Sequence, residues 1–233
     1  MFPVSAARYA EMAQRAMMVP MADPGTQAPI PLTERRRLQT QLEIAHCAAE
    51  LFAARGASAV TAEDIATAAG ISLRTFYRYF RTKEEAVTPM LAGGVRDWIH
   101  DLARGPRDLP AAEALERSAR RALSRTDRAG VDSLRLTHEL FRAIPGDPGL
   151  ESVWFRIVHD TEESLVEVLR ELMGPEADPL DVRLMAVAGN TAMRIAIQTW
   201  ADSDVAAGND GTPAEIVARC IRTLTAGLRP PQG

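Results

Sequence analysis

Residues 61–85 of the chain read TAEDIATAAGISLRTFYRYFRTKEE, and the fold follows from how this stretch divides. Thr61, followed three residues later by Asp64, is a capping-box start with Asp in place of Glu, and Ile65 and Ala69 share one face of the short helix it opens. Gly70 ends that helix, because glycine takes the positive φ that lets two helices meet steeply within very few residues. Ser72 then caps a second short helix reaching Tyr79 or Phe80, and Thr82 with Glu85 forms a full capping box for a longer one that runs to about Arg104. Helix, tight turn and helix at this spacing make a helix-turn-helix, whose second member is shaped to enter the major groove of DNA.

Working outward, Thr33 is a suitable N-cap for a preceding helix that ends at Arg55, where Gly56 supplies the left-handed stop. Ile44, Ala48, Leu51 and Phe52 form its inward face. Downstream of the break at residues 105–110, apolar periodicity predicts helices near 111–128, 131–143, 149–173, 178–201 and 213–228, with breaks at Gly130, at Pro145 to Pro148, at Gly174-Pro175 and at Gly208 to Gly211. Apolar positions recur at three and four and do not alternate, so the fold class is all-α, with about nine helices. Pro20, Pro24, Gly25, Pro29 and Pro31 interrupt the first 31 residues, which read as a disordered or partly helical arm. Alternatively Met17, Met18 or Met21 is the true start. The resulting domain plan is an arm (1–31), a helix-turn-helix domain (32–82), a helical effector-binding and dimerisation domain (83–228) and a tail (229–233).

Charge supports a contact module on an acidic body. The whole chain carries a formal charge of -4, yet residues 33–83 hold eight basic and five acidic side chains. The excess of acid lies beyond them, a distribution expected of a nucleic-acid contact module. Cys47 and Cys220 are far apart with no C-x-x-C spacing, so neither a disulfide nor a zinc site is implied. His138 and His159 have no i, i+4 histidine partner and no neighbouring cysteine, so no metal is expected there. No run approaches the roughly 18 uncharged residues of a spanning helix and no secretory signal is present, which predicts a cytoplasmic protein with no membrane partner. Phosphate-binding, dinucleotide-binding and nucleophile-elbow motifs are absent, so an enzyme is not expected and no cofactor is implied.

On the second short helix, Ile71, Phe76 and Phe80 fall at core spacing and leave Leu73, Arg74, Thr75, Arg78 and Tyr79 toward solvent or DNA. Arg74 has the geometry for bidentate contact with a guanine, and Thr75 suits a thymine methyl or a phosphate. Ser72 and Tyr77 offer hydroxyls to phosphates, Thr61 belongs to the same contact set, and Tyr77 and Tyr79 have core packing as the alternative role. Lys83, the only lysine in the chain, sits where a helix N-terminus favours an anion, which suggests a shared phosphate. Arg35, Arg36 and Arg37 are either a phosphate-contacting run or a solvated one.

The stretch from about 37 to 87 resembles the DNA-binding domain of the TetR family of one-component regulators. Tyr79, Phe80, Lys83, Glu84 and Glu85 match the family's aromatic-phenylalanine pair and its following lysine and acids. Ala48, Leu51, Phe52, Gly56, Thr61, Ile65, Ala66, Gly70, Ser72 and Tyr77 carry its usual residue types. Arg74 stands where the family often has glycine, so base preference is not carried over. The resemblance implies a double-stranded DNA operator, a small-molecule effector, a homodimer and, by analogy with most relatives, repression; a ligand-independent architectural protein or an activator is the alternative.

In the C-terminal part Trp98, Phe141, Trp154, Phe155, Met185 and Met193 are candidates to line an effector pocket, with ordinary core as the alternative. Asn190 and Gln198 lie on an apolar helix and either orient a ligand or satisfy each other and a backbone group. The moderately apolar composition of this part suggests a hydrophobic or amphipathic effector. Leu184, Ala188, Thr191 and Ile195 on one helix, with Ile216, Cys220 and Leu224 on the next, are the expected dimer interface. Ala188, Gly189 and Ala192 would permit close helix approach there.

Overall fold

Small and apolar residues at helical spacing make α1 (Leu32–Arg55) a helix with one dry side, on which Ile44, Ala45, Ala48, Ala49 and Phe52 are buried. In this computed structural model the described residues are 31–124, 128–202 and 212–228, with the side chains of 128–134 excepted. The expected arm over 1–31 and the tail over 229–233 lie, but for Pro31, outside them. Of the described residues, those up to Thr40 fall in one unit and those from Gln41 onward in another. In the first unit α1 starts at Leu32, one residue before the expected cap, and Arg35 N donates to Pro31 O at 3.0 Å.

In the second unit α1 ends at Gly56, with φ 77°, and a 3-10 turn at Ala57–Ala59 leads into α2 (Ala62–Ala68). Thr61 and Asp64 close the expected capping box, and Ser72 caps α3 (Leu73–Tyr79) by accepting from Thr75 N. Gly70 takes φ 66° between them, so any side chain there would be strained. Phe52, Ile65, Phe76 and Phe80 meet in the core beneath these helices. Truncating such a buried aromatic costs about 3–5 kcal/mol, enough to unfold a small helical module.

The fourth α-helix starts later than the sequence suggested. Glu84–Val87 forms a 3-10 turn, and α4 runs over Thr88–Ala103. Pro89 is the reason: in a helix begun at Lys83 its ring would strike the carbonyl four residues back, whereas in the first turn its missing N–H costs nothing. Glu85 N donates to Thr82 Oγ1 (3.2 Å), but the Glu85 carboxylate receives the Arg81 amide (3.0 Å) instead of closing the box on Thr82.

Beyond it lie α5 (Ala111–Leu123), α6 (Arg128–Ala143), α7 (Pro148–Met173), α8 (Pro179–Asp202) and α9 (Pro213–Thr225). These make nine α-helices and no strand among the described residues. Gly130, expected as a break, lies in the first turn of α6, where glycine costs little; the chain leaves helix at Ser124 instead. α4 packs against α5 and α7, α8 against α7 and α9, and α9 also against α5.

The core has two parts. One continues from the helix-turn-helix through Met90 and Leu91 of α4 to Leu140, Phe141 and Trp154 on α6 and α7. The other joins Trp98 and Leu102 to Leu115, Leu165, Met193, Val217 and Ile221. The first spans the expected boundary at residue 83. Gly149 shows how closely the elements meet: a Cβ there would lie 2.8 Å from Glu84 Cγ, so any larger residue would force the Glu84 side chain to shift.

Candidate functional site

The outward face of α3 is a short cationic surface. Leu73 is 38% and Tyr77 54% exposed, and Arg74 and Arg78 are exposed as well. Tyr77 stands edge-on to buried Phe76, with ring centroids 5.5 Å apart, which fixes the ring and leaves its hydroxyl end outside. Arg78 lies over the Tyr79 ring at 5.2 Å, a cation–π contact that holds the guanidinium on the same surface, and Tyr79 is half-buried against the core.

Four residues expected to contact DNA, Thr61, Ser72, Thr75 and Lys83, have side-chain polar groups engaged in the fold. Thr61 Oγ1 donates to Asp64 Oδ2 (2.6 Å) and accepts from Asp64 N (3.1 Å). Ser72 Oγ accepts from Thr75 N (3.1 Å) and lies 2.9 Å from Thr75 Oγ1. Lys83 Nζ donates to Ala57 O (2.7 Å) and Val60 O (2.8 Å), with Glu84 at 3.8 Å. The ammonium therefore ties the end of α3 back to the turn after α1, a connection that a reading of neighbouring residues could not supply. Arg35, Arg36 and Arg37 are exposed in the first turns of α1, in the unit that ends at Thr40, and Arg37 lies 3.9 Å from Glu34.

Asp64 has a consequence for acid stability. The Thr61 hydroxyl, then the Thr61 amide, hold its carboxyl below the ordinary carboxylate range, and Arg55 at 3.7 Å adds to the effect. A carboxyl depressed in the folded state contributes stability above its unfolded pKa of about 4 and loses it as pH falls through the lower folded value. Asp64→Asn is expected to melt below the parent at neutral pH, and the gap should narrow on acidification. A gap independent of pH in thermal melts from pH 7 to 3 would contradict the ionic cap.

The second feature is a cavity of about 500 Å³ between α1, α4, α5, α6, α7 and α8. Of the expected lining residues, Trp98, Phe141, Trp154, Asn190 and Met193 lie on its wall. Met185 is buried in the second core, and Phe155 is 65% exposed, turned away from the cavity on the outer side of α7. Leu42, His46, Met90, Thr161 and Arg194 also line it. Nothing in their spacing separates them from core or surface residues. Asn190 Nδ2 donates to Val158 O (2.8 Å), while Gln198 Oε1 accepts from Arg194 (2.9 Å), so the two amides satisfy other groups and not each other. His138 packs edge-on against Trp200 at 4.8 Å and is not on the wall.

The residues expected at a dimer contact divide between surface and core. Leu184 and Leu224 are each 41% exposed, Thr191, Ile195 and Cys220 are half-buried, and Ala188 and Ile216 are buried within the subunit. Ile216 turns inward because the apolar face of α9 is used against α8 and α5. The close approach expected of Ala188, Gly189 and Ala192 occurs inside the subunit: a Cβ on Gly189 would lie 3.0 Å from Leu115 Cδ2. The exposed apolar side of α8 is instead Leu180, Leu184 and Val187.

A capped helix-turn-helix with a cationic outer face, continuous through its core with a helical cavity, defines the class of a one-component DNA-binding regulator. Residues 44–87 match the model of the family described as bacterial regulatory proteins, tetR family. Residues 44–87 thus carry a DNA-binding domain of the TetR type, as found in bacterial transcription regulators. It is 26% identical over 183 residues, 76% of its own length and 80% of the relative's, to the HTH-type transcriptional regulator TcmR of Streptomyces glaucescens. To the HTH-type transcriptional repressor KstR2 of Rhodococcus jostii it is 36% identical over 91 residues, 39% of this chain and 43% of that one. In fold it is similar to a TetR-family transcriptional regulator from Syntrophomonas wolfei, with a TM-score of 0.57 at 14% identity over 84% of this chain and all of the other. Among the described residues no helix is long and apolar enough to cross a membrane.

Proposed function

We propose that the protein represses transcription in the cytoplasm by binding a pseudo-palindromic operator as a homodimer, and that a small, mostly apolar effector in the cavity releases it. Catalysis plays no part in this reading. The observation that carries it is the continuity of the core: Met90 and Leu91 pack with the helix-turn-helix and also line the cavity. A ligand that repacks this wall acts directly on the support of α3. It shifts the balance only by its difference in affinity between the DNA-competent and DNA-incompetent forms, so operator must weaken effector binding by the same factor. Repression is supported by the name of the Rhodococcus relative.

Arg74 reads bases in this scheme, Arg78 and Tyr77 meet the backbone, with Arg35 to Arg37 as further phosphate contacts, and Thr61, Ser72 and Lys83 position α3. Selection of bound duplexes from a random library, followed by titration at several salt concentrations, tests it. A palindromic motif with a steep salt dependence is expected. Arg74→Ala should cost about 1–3 kcal/mol and relax preference at one position per half-site. Failure to enrich any motif at low salt would sink the function, and a sequence-independent loss in Arg74→Ala would sink the role given to Arg74.

A further inference from the structure

Several polar side chains on the cavity wall find their partners within the protein. Trp98 Nε1 donates to Ser118 Oγ (3.1 Å), Thr161 Oγ1 to Ile157 O (2.6 Å) and Asn190 Nδ2 to Val158 O (2.8 Å). Asp101 Oδ1 lies 3.2 Å from Arg121 Nε, so these two charges offset each other. His46, Arg96, Asp97 and Arg121 are exposed where they border the cavity, and water solvates them.

Arg194 differs from all of these. Asn190, Met193, Arg194 and Ile197 recur at three, four and seven residues along α8, which puts them on one face, and all four line the cavity. Arg194 is half-buried on that face, whereas Arg96 and Arg121 are exposed. Its Nη1 donates to Gln198 Oε1 at 2.9 Å, and among the described residues it has no ion-pair partner. The amide oxygen of Gln198 is neutral, so it directs the guanidinium without offsetting its charge. Arginine withdrawn from water is ordinarily paired with an acid, because an uncompensated charge loses solvation and gains nothing in return. The remaining N–H groups of Arg194 form a planar donor fork that matches a carboxylate.

We propose that the cavity takes a mostly apolar acid, with its carboxylate on the Arg194 guanidinium and its apolar body against Val158, Met193 and Ile197. This rests on the cavity being the effector site and adds the class of ligand it selects. Val158 and Ile197 are half-buried and line the cavity, so a ligand can reach apolar surface next to the charge. Apolar surroundings strengthen an ion pair relative to water, and the acid supplies the counter-charge that the chain itself does not place beside Arg194. A neutral analogue of the same shape leaves the guanidinium uncompensated and is discriminated against on that account.

The test uses the full chain without DNA, at neutral pH, and two acids of different shape, decanoate and 2-naphthoate, each beside its primary amide, which keeps the apolar body and removes the charge. Equilibrium dialysis measures all of them against the parent and two variants. At least one acid is expected to bind the parent, about tenfold or more tighter than its amide. Arg194→Met keeps the stem and should bring acid and amide within about twofold of each other, and Arg194→Lys should restore part of the preference. Because no acid in the chain depends on this guanidinium, Arg194→Met should leave the melting temperature of the ligand-free protein unchanged or raise it. A lower melting temperature with equal weakening of acids and amides would make Arg194 a structural residue and overturn the proposal. An acid preference that survives Arg194→Met overturns the anchor. Equal binding of acids and amides to the parent, or no binding of any probe up to its solubility, overturns the ligand class. Operator release is measured separately. If the Arg194-dependent preference holds but the acids leave operator binding unchanged, the regulatory reading fails and the ligand class stands.

Discussion

Replacing Lys83 with Met is expected to destabilise the protein by about 2–4 kcal/mol and to lower operator affinity for every sequence alike. The ammonium makes two charge-assisted hydrogen bonds, to the carbonyls of Ala57 and Val60, from a side chain that is 24% exposed. Each such bond is worth about 1.5–3 kcal/mol, and methionine keeps the stem while leaving both carbonyls without this donor. Those carbonyls bracket the turn that delivers Thr61 to its capping position, so loosening them loosens the entry to α2 and, through α2, the angle of α3. Urea denaturation and operator titration on the same variant separate two roles. Loss of stability with a parallel loss of affinity supports the internal tie. Unchanged stability with weaker binding would instead assign Lys83 to a DNA phosphate.

Leu184→Glu is expected to convert the proposed dimer into a single-subunit particle and to lower operator affinity by at least about a hundredfold. Leu180, Leu184 and Val187 recur at four and three residues along α8, which places them on one face, and they are 62%, 41% and 37% exposed. Leu224 of α9 adds a further exposed apolar side chain, 41% accessible. A glutamate carried into an apolar two-fold contact meets its own copy, so the contact loses apolar area and gains like-charge repulsion. Two linked recognition helices gain about 10²–10⁴ over one, and that gain disappears with the dimer. Ile195 is a weaker choice of target because it is half-buried, and a charge there would confuse dissociation with unfolding. Light scattering on a sizing column reads the outcome. A Leu184→Glu variant still running as a dimer would place the interface elsewhere.

Local chemistry made the helix-turn-helix legible. Thr61 with Asp64, Gly70 and Ser72 lie within a dozen residues, and each acts on its own backbone: a hydroxyl meets an amide three residues on, and a glycine accepts a positive φ. Such signals survive in one dimension because their partners are neighbours. Where a local rule was applied without its competitor the reading slipped by a few residues, as when Pro89 moved the start of α4 from Lys83 to Thr88. The periodicity that announced α8 and α9 likewise could not say which apolar face turns inward. Ile216 and Gly189 are spent inside the subunit against α8 and α5, whereas Leu180 and Val187 are left outside.

The sequence by itself determined the all-helical class, the position and caps of the recognition helix, and the family to which its DNA-binding domain belongs, because each rests on contacts between residues a few positions apart. Tertiary structure alone decided three things. Lys83 reaches carbonyls more than twenty positions away, at Ala57 and Val60. The helix-turn-helix core continues into α4, α6 and α7. Trp154 lines the cavity, whereas Phe155 beside it faces solvent. The physical reason is common to all three: whether a donor finds an acceptor, or an apolar side chain a neighbour, depends on which helices are packed together, and helical spacing carries no record of that.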